Sequence, residues 1–354
     1  MALVIFFCSC DYDLDAVAAE MRSRFENVQV VGCTTAGEIG PAGYREHSIV
    51  GASLPADGFS VATGRLDRLQ EFGIERGQTF AQQLLQKLES QAPEATVDNS
   101  FALLLIDGLS VREEPVTRAL QHALGSLALI GGSAGDGLRF GNTYVYHDGR
   151  FHSDSAVLTL VSTPLLFKPF FTQHFVASAQ RVVVTEADTA RRLVLEIDGR
   201  PAAEAYAELV GVDTDDLDPM RFASSPMVVT IGGQQYVRSI SNALPDGSLQ
   251  FFCAIDEGMV LRVGHGTDLV GNLDQAFAAV RGEIGEPQLV IGCDCILRRI
   301  EVQQNGLVDQ VGDIMGRNNA IGFGSYGEQY HGMHVNQTFT GIAIGHHGSE
   351  TAEG

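Results

Sequence analysis

Three short stretches of this chain place small residues, a glycine and an acid at the end of an apolar run. Residues 30–39 read VVGCTTAGEI, and residues 129–136 and 321–328 have the same design. A β-branched run that leads into glycine predicts a strand followed by a tight turn. Such turns expose backbone groups beside a carboxylate, so we expect them to bind a small ligand. The candidate ligand-binding residues are Cys33, Thr34, Thr35 and Glu38 in the first turn, Ser133 and Asp136 in the second, and Tyr326 and Glu328 in the third.

Four further polar residues are candidates for the same site. Arg238 offers a positive charge to a carboxylate or a haem propionate, and Asn336 offers an amide. His331 and His334 follow the third turn and are the candidate ligands of a metal or a haem iron. Two interpretations of Glu328 stay open: it accepts the ammonium group of a ligand, or it fixes its own turn with Arg238 as its partner.

The same turns allow a function of a different class, a hydrolase or transferase. Ser133, Thr35 or Cys33 would be the nucleophile, with Glu38 or Asp136 as the acid. The G-x-S-x-G pattern around Ser133 requires a helix directly after the serine, but a glycine-containing loop and a strand-like run follow it here. We therefore favour a binding site over a catalytic one.

Paired cysteines end the strands that precede the first and the third turn. Cys8 and Cys10, like Cys293 and Cys295, are two residues apart and face one side of a strand. If the two strands are equivalent, the four thiols converge. C-x-C is a poor match to zinc spacing, and free cysteine usually packs as a small apolar residue. Core packing is therefore favoured over a metal or redox role.

The turns belong to repeated strand–helix–strand units. Residues 3–10, 101–106 and 289–295 are apolar runs, and each precedes a helical pattern and one of the turns. Repetition in a fixed order indicates related units. Because strands and helices do not alternate strictly, the predicted class is α/β of the mixed α+β type, with two related halves and mixed sheets. Prolines within residues 163–169 mark a boundary between domains 1–165 and 166–354.

The composition excludes several classes of partner. The chain has 354 residues, and its 23 basic and 44 acidic residues give a net charge of −21 without a basic cluster. We therefore expect neither nucleic-acid binding nor attachment to an anionic membrane. No apolar run approaches the roughly 20 residues of a membrane helix. Six cysteines in a chain this long do not indicate a secreted disulfide framework, so we expect a cytoplasmic protein.

These motifs, in this order, resemble the FIST domain. Residues 32–39 and 131–136 resemble its N-terminal half, and residues 236–239, 322–328 and 336–338 resemble its C-terminal half. The resemblance covers nearly the whole chain. It assigns the predicted domain 1–165 to FIST N and the predicted domain 166–354 to FIST C.

The resemblance implies a sensory ligand-binding module of signal transduction, with ligands such as amino acids. One subgroup of the family senses nitric oxide through haem and regulates a partner histidine kinase. A FIST chain without an attached output domain resembles that arrangement. It thus implies a sensor of nitric oxide or an amino acid that acts on a histidine kinase or another signalling protein. Any haem would be noncovalent haem b, because the chain has no C-x-x-C-H motif.

Overall fold

The computed structural model describes residues 1–347, so the last seven residues of the predicted domain 166–354 lie outside it. Helices and strands do not alternate strictly along residues 1–347, and three of the four sheets pair strands in both parallel and antiparallel orientation. This confirms the predicted mixed α+β class. Among the helices of residues 1–347, none is long and apolar enough to cross a membrane. Three strand–helix–strand units recur within residues 1–347, and they contain the three apolar runs that the sequence singled out.

The first unit is a strand–helix–strand motif completed by a hairpin and a further strand. Its elements are β1 (Leu3–Ser9), α1 (Leu14–Arg24), β2 (Gln29–Thr35), β3 (Glu38–Gly40), β4 (Gly43–Arg45) and β5 (Ile49–Leu54). β1 is buried along its whole length and pairs with β2 in parallel and with β5 in antiparallel orientation. The Asp13 carboxylate caps α1 by accepting hydrogen bonds from two backbone N–H groups of its first turn.

The second unit repeats this order after an additional strand and helix. Its elements are β6 (Ser60–Asp67), α2 (Ile74–Gln91), β7 (Ser100–Ile106), α3 (Glu113–Leu124), β8 (Ala128–Ser133), β9 (Val145–His147), β10 (Arg150–His152) and β11 (Ser155–Ser162). β7 and β8 are parallel, and β11 is antiparallel to β7 and to β6. Since β11 ends the unit at Ser162, the predicted boundary at residues 165 and 166 lies close to the start of the third unit; it stays a prediction.

A large insertion interrupts the third unit after its first strand, β12 (Leu165–Thr172). The insertion comprises β13 (Phe175–Ala177), β14 (Val182–Asp188), β15 (Leu193–Ile197), β16 (Arg200–Pro201), α4 (Ala202–Val210), α5 (Pro219–Ser224), β17 (Met227–Ile231), β18 (Gln234–Arg238), β19 (Ile240–Ala243), β20 (Leu249–Phe251) and β21 (Val260–Gly266). Its strands form a sheet of their own and enclose a separate apolar core that includes Val184, Tyr206 and Phe222.

The third unit resumes after the insertion and has the same order as the second. Its elements are α6 (Leu269–Ile284), β22 (Leu289–Cys295), α7 (Ile296–Gln304), α8 (Val308–Arg317), β23 (Ala320–Ser325), β24 (Glu328–Tyr330), β25 (Met333–Val335) and β26 (Phe339–His347). β22 is parallel to β23 and antiparallel to β26, and β26 pairs with β12.

The hairpin of each unit pairs with a strand of another unit. β3 of the first unit pairs with β23 of the third, β9 of the second pairs with β2 of the first, and β24 of the third pairs with β8 of the second. The inner faces of the three sheets share one core, in which the rings of Phe7 and Phe323 stack 4.6 Å apart. The exchange brings the carboxyl ends of β2, β8 and β23 to one place.

Candidate functional site

The three turns singled out by the sequence meet there and hydrogen-bond to one another through their backbones. We call residues 34–37, 133–137 and 324–327 the turn ring. Each pair of turns shares two backbone bonds, which are Ala36 N to Gly324 O (2.8 Å), Gly324 N to Gly37 O (2.7 Å), Tyr326 N to Ser133 O (3.1 Å), Ser133 N to Gly327 O (2.9 Å), Gly135 N to Thr34 O (3.0 Å) and Gly137 N to Thr35 O (3.2 Å).

Two of the predicted acids fix the hairpins that follow their turns. Glu38 accepts hydrogen bonds from the Thr35 hydroxyl and from the backbone N–H (3.2 Å) and hydroxyl (2.6 Å) of Ser48. Glu328 makes the matching contacts with Ser325 and with the hydroxyl of Thr338 (2.7 Å). Burial raises the pKa of Glu328 to about 8. This geometry supports the turn-fixing interpretation of Glu328.

The third acid, Asp136, organises a loop instead of a hairpin. Its carboxylate accepts hydrogen bonds from the backbone N–H groups of Phe140 (2.9 Å), Gly141 (2.8 Å) and Asn142 (2.8 Å), and from the Tyr326 hydroxyl. Burial acts to raise the pKa of Asp136, but these donors hold it below its ordinary value. The loop of residues 137–142 is therefore anchored to the turn ring.

A cavity of about 230 Å³, which we call the ring cavity, opens beside the first turn at the carboxyl ends of β1 and β2. All three units line it: Asp11 comes from the first, Arg139 from the second, and Arg299, on α7, from the third. Glu46 and Thr35 also line it. Ligands of α/β proteins commonly bind at the carboxyl ends of strands. The ring cavity is therefore a candidate binding site.

Arg299 is the fixed cation of the ring cavity. Its guanidinium donates to the carbonyl oxygens of Ala36 (3.0 Å) and Arg45 (3.1 Å) and lies 3.3 Å from Glu46 Oε1. It packs on Gly37, whose φ is +107° and whose Cβ, if present, would lie 1.5 Å from Nη1. The side chain is 3% exposed, and within residues 1–347 its Nε has no hydrogen-bond partner. Glycine at position 37 is thus required by both the space and the backbone.

Arg139 is the more exposed cation, because its side chain is half exposed whereas that of Arg299 is buried. Its Nη2 donates to Asp11 Oδ1 at 2.8 Å and contacts the Cys10 thiol, while His47 also contacts Asp11. Burial raises the pKa of the Cys10 thiol, and Arg139 only partly opposes that effect. Cys10 is therefore a protonated thiol, not an activated nucleophile.

A second polar cluster, the polar junction, lies behind the third turn and comprises Arg238, Gln329, His334 and Asn336. Arg238 Nη1 donates to His334 O at 3.2 Å, and Gln329 Nε2 lies 3.2 Å from His334 Nδ1. Arg238 Nε, His334 Nε2, Gln329 Oε1 and both amide atoms of Asn336 are buried without a partner in the described part of the chain. Burial is the main reason that the pKa of His334 falls to about 4.

The histidines do not fit a haem in this arrangement. The Nε2 of His334 faces the backbone of Gly327, where a Cβ would lie 2.6 Å from it. A porphyrin therefore has no room between the imidazole and the third turn. His331 is exposed in the tight turn between β24 and β25, apart from the buried His334. Residues 1–347 hold no group of three or more His, Cys, Asp or Glu suited to a metal ion.

The other predicted site residues are dispersed. Tyr326 bonds to Asp136, and Arg238 contacts the backbone of His334, so Arg238 is not the partner of Glu328. Thr34 Oγ1 accepts a hydrogen bond from the backbone N–H of Tyr144 at 3.0 Å. The site predicted among Arg238, Tyr326, Glu328 and His334 is therefore divided between the turn ring, the hairpin that begins at Glu328 and the polar junction.

The nucleophiles of the hydrolase interpretation are held in structural contacts. Cys33 lies in the shared core, and Ser133 Oγ accepts a hydrogen bond from Gln329 at 2.9 Å. Thr35 donates to Glu38, but the contact between Ser325 and Glu328 repeats this bond in the third unit. Both contacts tie a hairpin to its turn, so a structural role accounts for them and a catalytic role is not needed.

The paired cysteines do not converge, because their strands are offset by one residue. Ser9 pairs with Thr35, whereas Cys295 pairs with the equivalent Ser325. Cys8 consequently faces α1, and Cys293 faces the shared core. In a strand, a shift of one residue moves a side chain to the opposite face.

Sequence reasoning missed the charged residues of the ring cavity. Arg139 follows the second turn by three residues, and Arg299 follows the Cys-Asp-Cys run of β22 by four. Asp11 and Glu46 stand in ordinary polar segments. The available signal was one arginine shortly after the second turn and another shortly after β22, but nothing in the spacing shows that the two line one cavity.

Comparison with known proteins identifies the family. The model of the FIST N domain matches residues 2–200, and that of the FIST C domain matches residues 202–331. No curated protein matches the chain. A solved structure described as "Cyanuric acid hydrolase: evolutionary innovation by structural concatenation" is 11% identical, with 97% of this chain and 90% of that chain covered and a TM-score of 0.31. A TM-score this low supports no conclusion about the fold or the function of this chain. The two domain matches span most of the chain, which therefore belongs to the FIST family, whose domains bind small ligands in signalling.

Proposed function

We propose that this chain is a sensor that binds a small zwitterion, such as an amino acid, in the ring cavity. The observation that carries the proposal is the charge pattern of the cavity, which joins Arg139 and Arg299 with Asp11 and Glu46. A simple anion would meet the two carboxylates, and a simple cation would meet the two guanidiniums. A ligand with both charges satisfies both sets. A volume of about 230 Å³ is below the range of drug-sized pockets, in keeping with a small metabolite.

The charged groups of the ligand would replace contacts that the arginines and carboxylates of the cavity now make with each other. Its carboxylate would bind the guanidiniums of Arg299 and Arg139, and its ammonium group would bind Asp11. The bond between Arg139 and Asp11 is partly exposed, so opening it costs little. Arg299 is already held in place by Ala36 O and Arg45 O, so it loses little side-chain freedom on binding.

Thermal shift with the twenty amino acids, followed by calorimetry, tests the proposal. A ligand at 100 times its Kd should stabilise the protein by about 2.7 kcal/mol. Arg139→Ala and Asp11→Asn should each weaken binding at least tenfold. Arg68→Ala, which removes another exposed ion-paired arginine, should leave binding unchanged. Equal affinity in Arg139→Ala and the wild type would exclude the ring cavity as the site.

Haem b with nitric oxide as the ligand is a separate proposal. It is favoured by the neutral imidazole of His334, whose Nε2 has no hydrogen-bond partner within residues 1–347. Ligation through Nε2 would require the ring proton on Nδ1, and therefore the amide oxygen of Gln329 turned towards that nitrogen. Binding would require the hairpin of β24 and β25 to move away from the third turn. Haem titration should then produce a Soret band that shifts with nitric oxide and is lost in His334→Ala. His331→Ala serves as the control. A flat titration of the wild type would remove this proposal.

As the partner we propose a histidine kinase or another signalling protein. The role of FIST domains in signalling supports it, and a net charge of −21 suits a basic patch on a partner. Autophosphorylation of a candidate kinase should change when the protein is added, and the effect should weaken with salt. A rate that is unaffected at low salt would exclude that kinase.

A further inference from the structure

The loop of residues 137–142 contacts both the ring cavity and the insertion. Arg139 reaches into the cavity, where its Nη2 lies 2.8 Å from Asp11 Oδ1. The next residue, Phe140, stacks on Tyr326 with ring centroids 4.7 Å apart. On the other side its ring centroid lies 5.8 Å from that of Phe252, which follows β20 in the insertion. Two adjacent residues thus connect the cavity to a different part of the molecule.

The contacts of the loop converge on Asp136 and couple its residues to one another. The Asp136 carboxylate binds three of its backbone N–H groups, and the Nε of Arg139 donates to Asp136 O at 3.0 Å. Phe140 has a φ of +50°, a left-handed conformation that is unfavourable for a bulky aromatic residue. Such a conformation persists only while its contacts hold it. Displacement of Arg139 therefore acts on the contacts that hold Phe140 in this conformation.

Phe252 lies where the insertion contacts the second unit, and we call the contact surface of the insertion with the three units the seam. Its carbonyl oxygen accepts a hydrogen bond from Arg192 Nη1 at 2.6 Å. The same guanidinium pairs with the buried Glu113 at 2.5 Å and with Glu114. Movement of Phe252 thus acts directly on the ion pairs that attach the insertion.

The insertion has an apolar core of its own. Its seam with the three units combines polar contacts of Arg192, Arg238 and Ser239 with a small apolar cluster that includes Ala223, Phe252 and Tyr326. The seam includes the polar junction, where several buried polar atoms lack partners within residues 1–347. Bodies with separate cores and an incompletely paired interface are the parts of a protein that shift relative to one another.

We propose that the loop of residues 137–142 transmits occupancy of the ring cavity to the insertion. A ligand group that takes Arg139 from Asp11 moves Phe140 against Phe252 and changes how the insertion sits on the second unit. The proposal rests on the ring cavity being the ligand site. In this proposal, the insertion changes its position when the ligand binds, and a partner recognises that change.

Hydrogen exchange without ligand tests the coupling itself. Arg139→Ala and Phe140→Ala should both raise exchange several-fold in the segments that carry Arg192 and Phe252. Exchange of β1, β7 and β22 should stay unchanged, as it should throughout in the control Arg68→Ala. If Arg139→Ala leaves the insertion segments at the wild-type rate, the proposal is overturned, whatever the ligand.

A ligand experiment uses the absence of tryptophan from the sequence. Phe252→Trp provides a single fluorescent reporter, and glycine is the probe, with binding followed by calorimetry. Glycine should change the emission of Phe252→Trp but not that of Phe252→Trp with Phe140→Ala, although both bind it. An equal emission change in both would overturn the loop as transmitter. If glycine binds neither protein, the zwitterion proposal loses its simplest ligand, and the exchange measurement alone decides the coupling.

Discussion

Glu38 and Glu328 stand at equivalent places in the first and third units and make the same hydrogen bonds. Each accepts one bond from the hydroxyl residue three positions earlier and others from a Ser or Thr ten positions later. Their contacts join a turn, a hairpin and the last strand of the unit. The relationship shows that the Gly-acid motif is first a structural device, and that binding groups are supplied by side chains around it.

Glu328 should make stability depend on pH. Its folded pKa of about 8 exceeds the unfolded value of about 4.3, so the folded state binds more protons between these values. Stability should therefore fall as pH rises from 5 to 8, by at most about 1.4 kcal/mol per pH unit for this group. Glu328→Gln should flatten that slope in urea unfolding series. An unchanged slope would show that Glu328 is ionised in the folded protein.

Gly37→Ala should destabilise the protein by about 2–4 kcal/mol, because a Cβ would displace Arg299 and the backbone has a positive φ. It should also abolish ligand binding in the ring cavity. Gly282→Ala is the matched control, since Gly282 lies in α6 with open space around it and should gain about 0.5–1 kcal/mol. Urea unfolding measures both. A stable Gly37→Ala would contradict the position found for Arg299.

Arg192→Ala should cost about 3–5 kcal/mol, because it leaves the buried Glu113 and Glu114 without their cation. Loss of the insertion's attachment should also raise proteolysis at the seam. Arg200→Ala, which breaks the exposed pair with Glu208, should have little effect on either readout. Similar unfolding midpoints for the two variants would argue against a buried ion pair at the seam.

His334 should stay neutral at physiological pH. Burial, as the main cause, lowers its pKa to about 4, below the unfolded value of about 6.5. The unfolded state then binds more protons below pH 6.5, so stability should fall as pH drops from 6.5 towards 4. NMR titration of the imidazole checks the pKa, and His334→Asn should reduce this acid sensitivity. Protonation of the ring near pH 6.5 would show an exposed histidine.

The turns were predictable because a strand that ends in small residues, glycine and an acid is a local signal. The hairpins that begin at Glu38 and Glu328 were not, since three-residue strands carry no periodicity and their partners belong to other units. Arg139 and Arg299 line one cavity because the second and third units pack together, and the sequence does not show how units pack. The convergence of the four thiols, predicted only if the two strands are equivalent, was absent because register, which the sequence does not show, decides which face a residue occupies.

The exchanged hairpins have a consequence for how the chain is made. On the ribosome, β3 emerges early, but its partner β23 is synthesised only near the end of the chain. Until then the hairpin of β3 and β4 has an unpaired edge, and unpaired edges invite wrong pairing. Native pairing over such long sequence separations is slow to form. Biogenesis of this protein is therefore a post-translational event, in which the ring of sheets closes only after the last unit has left the exit tunnel.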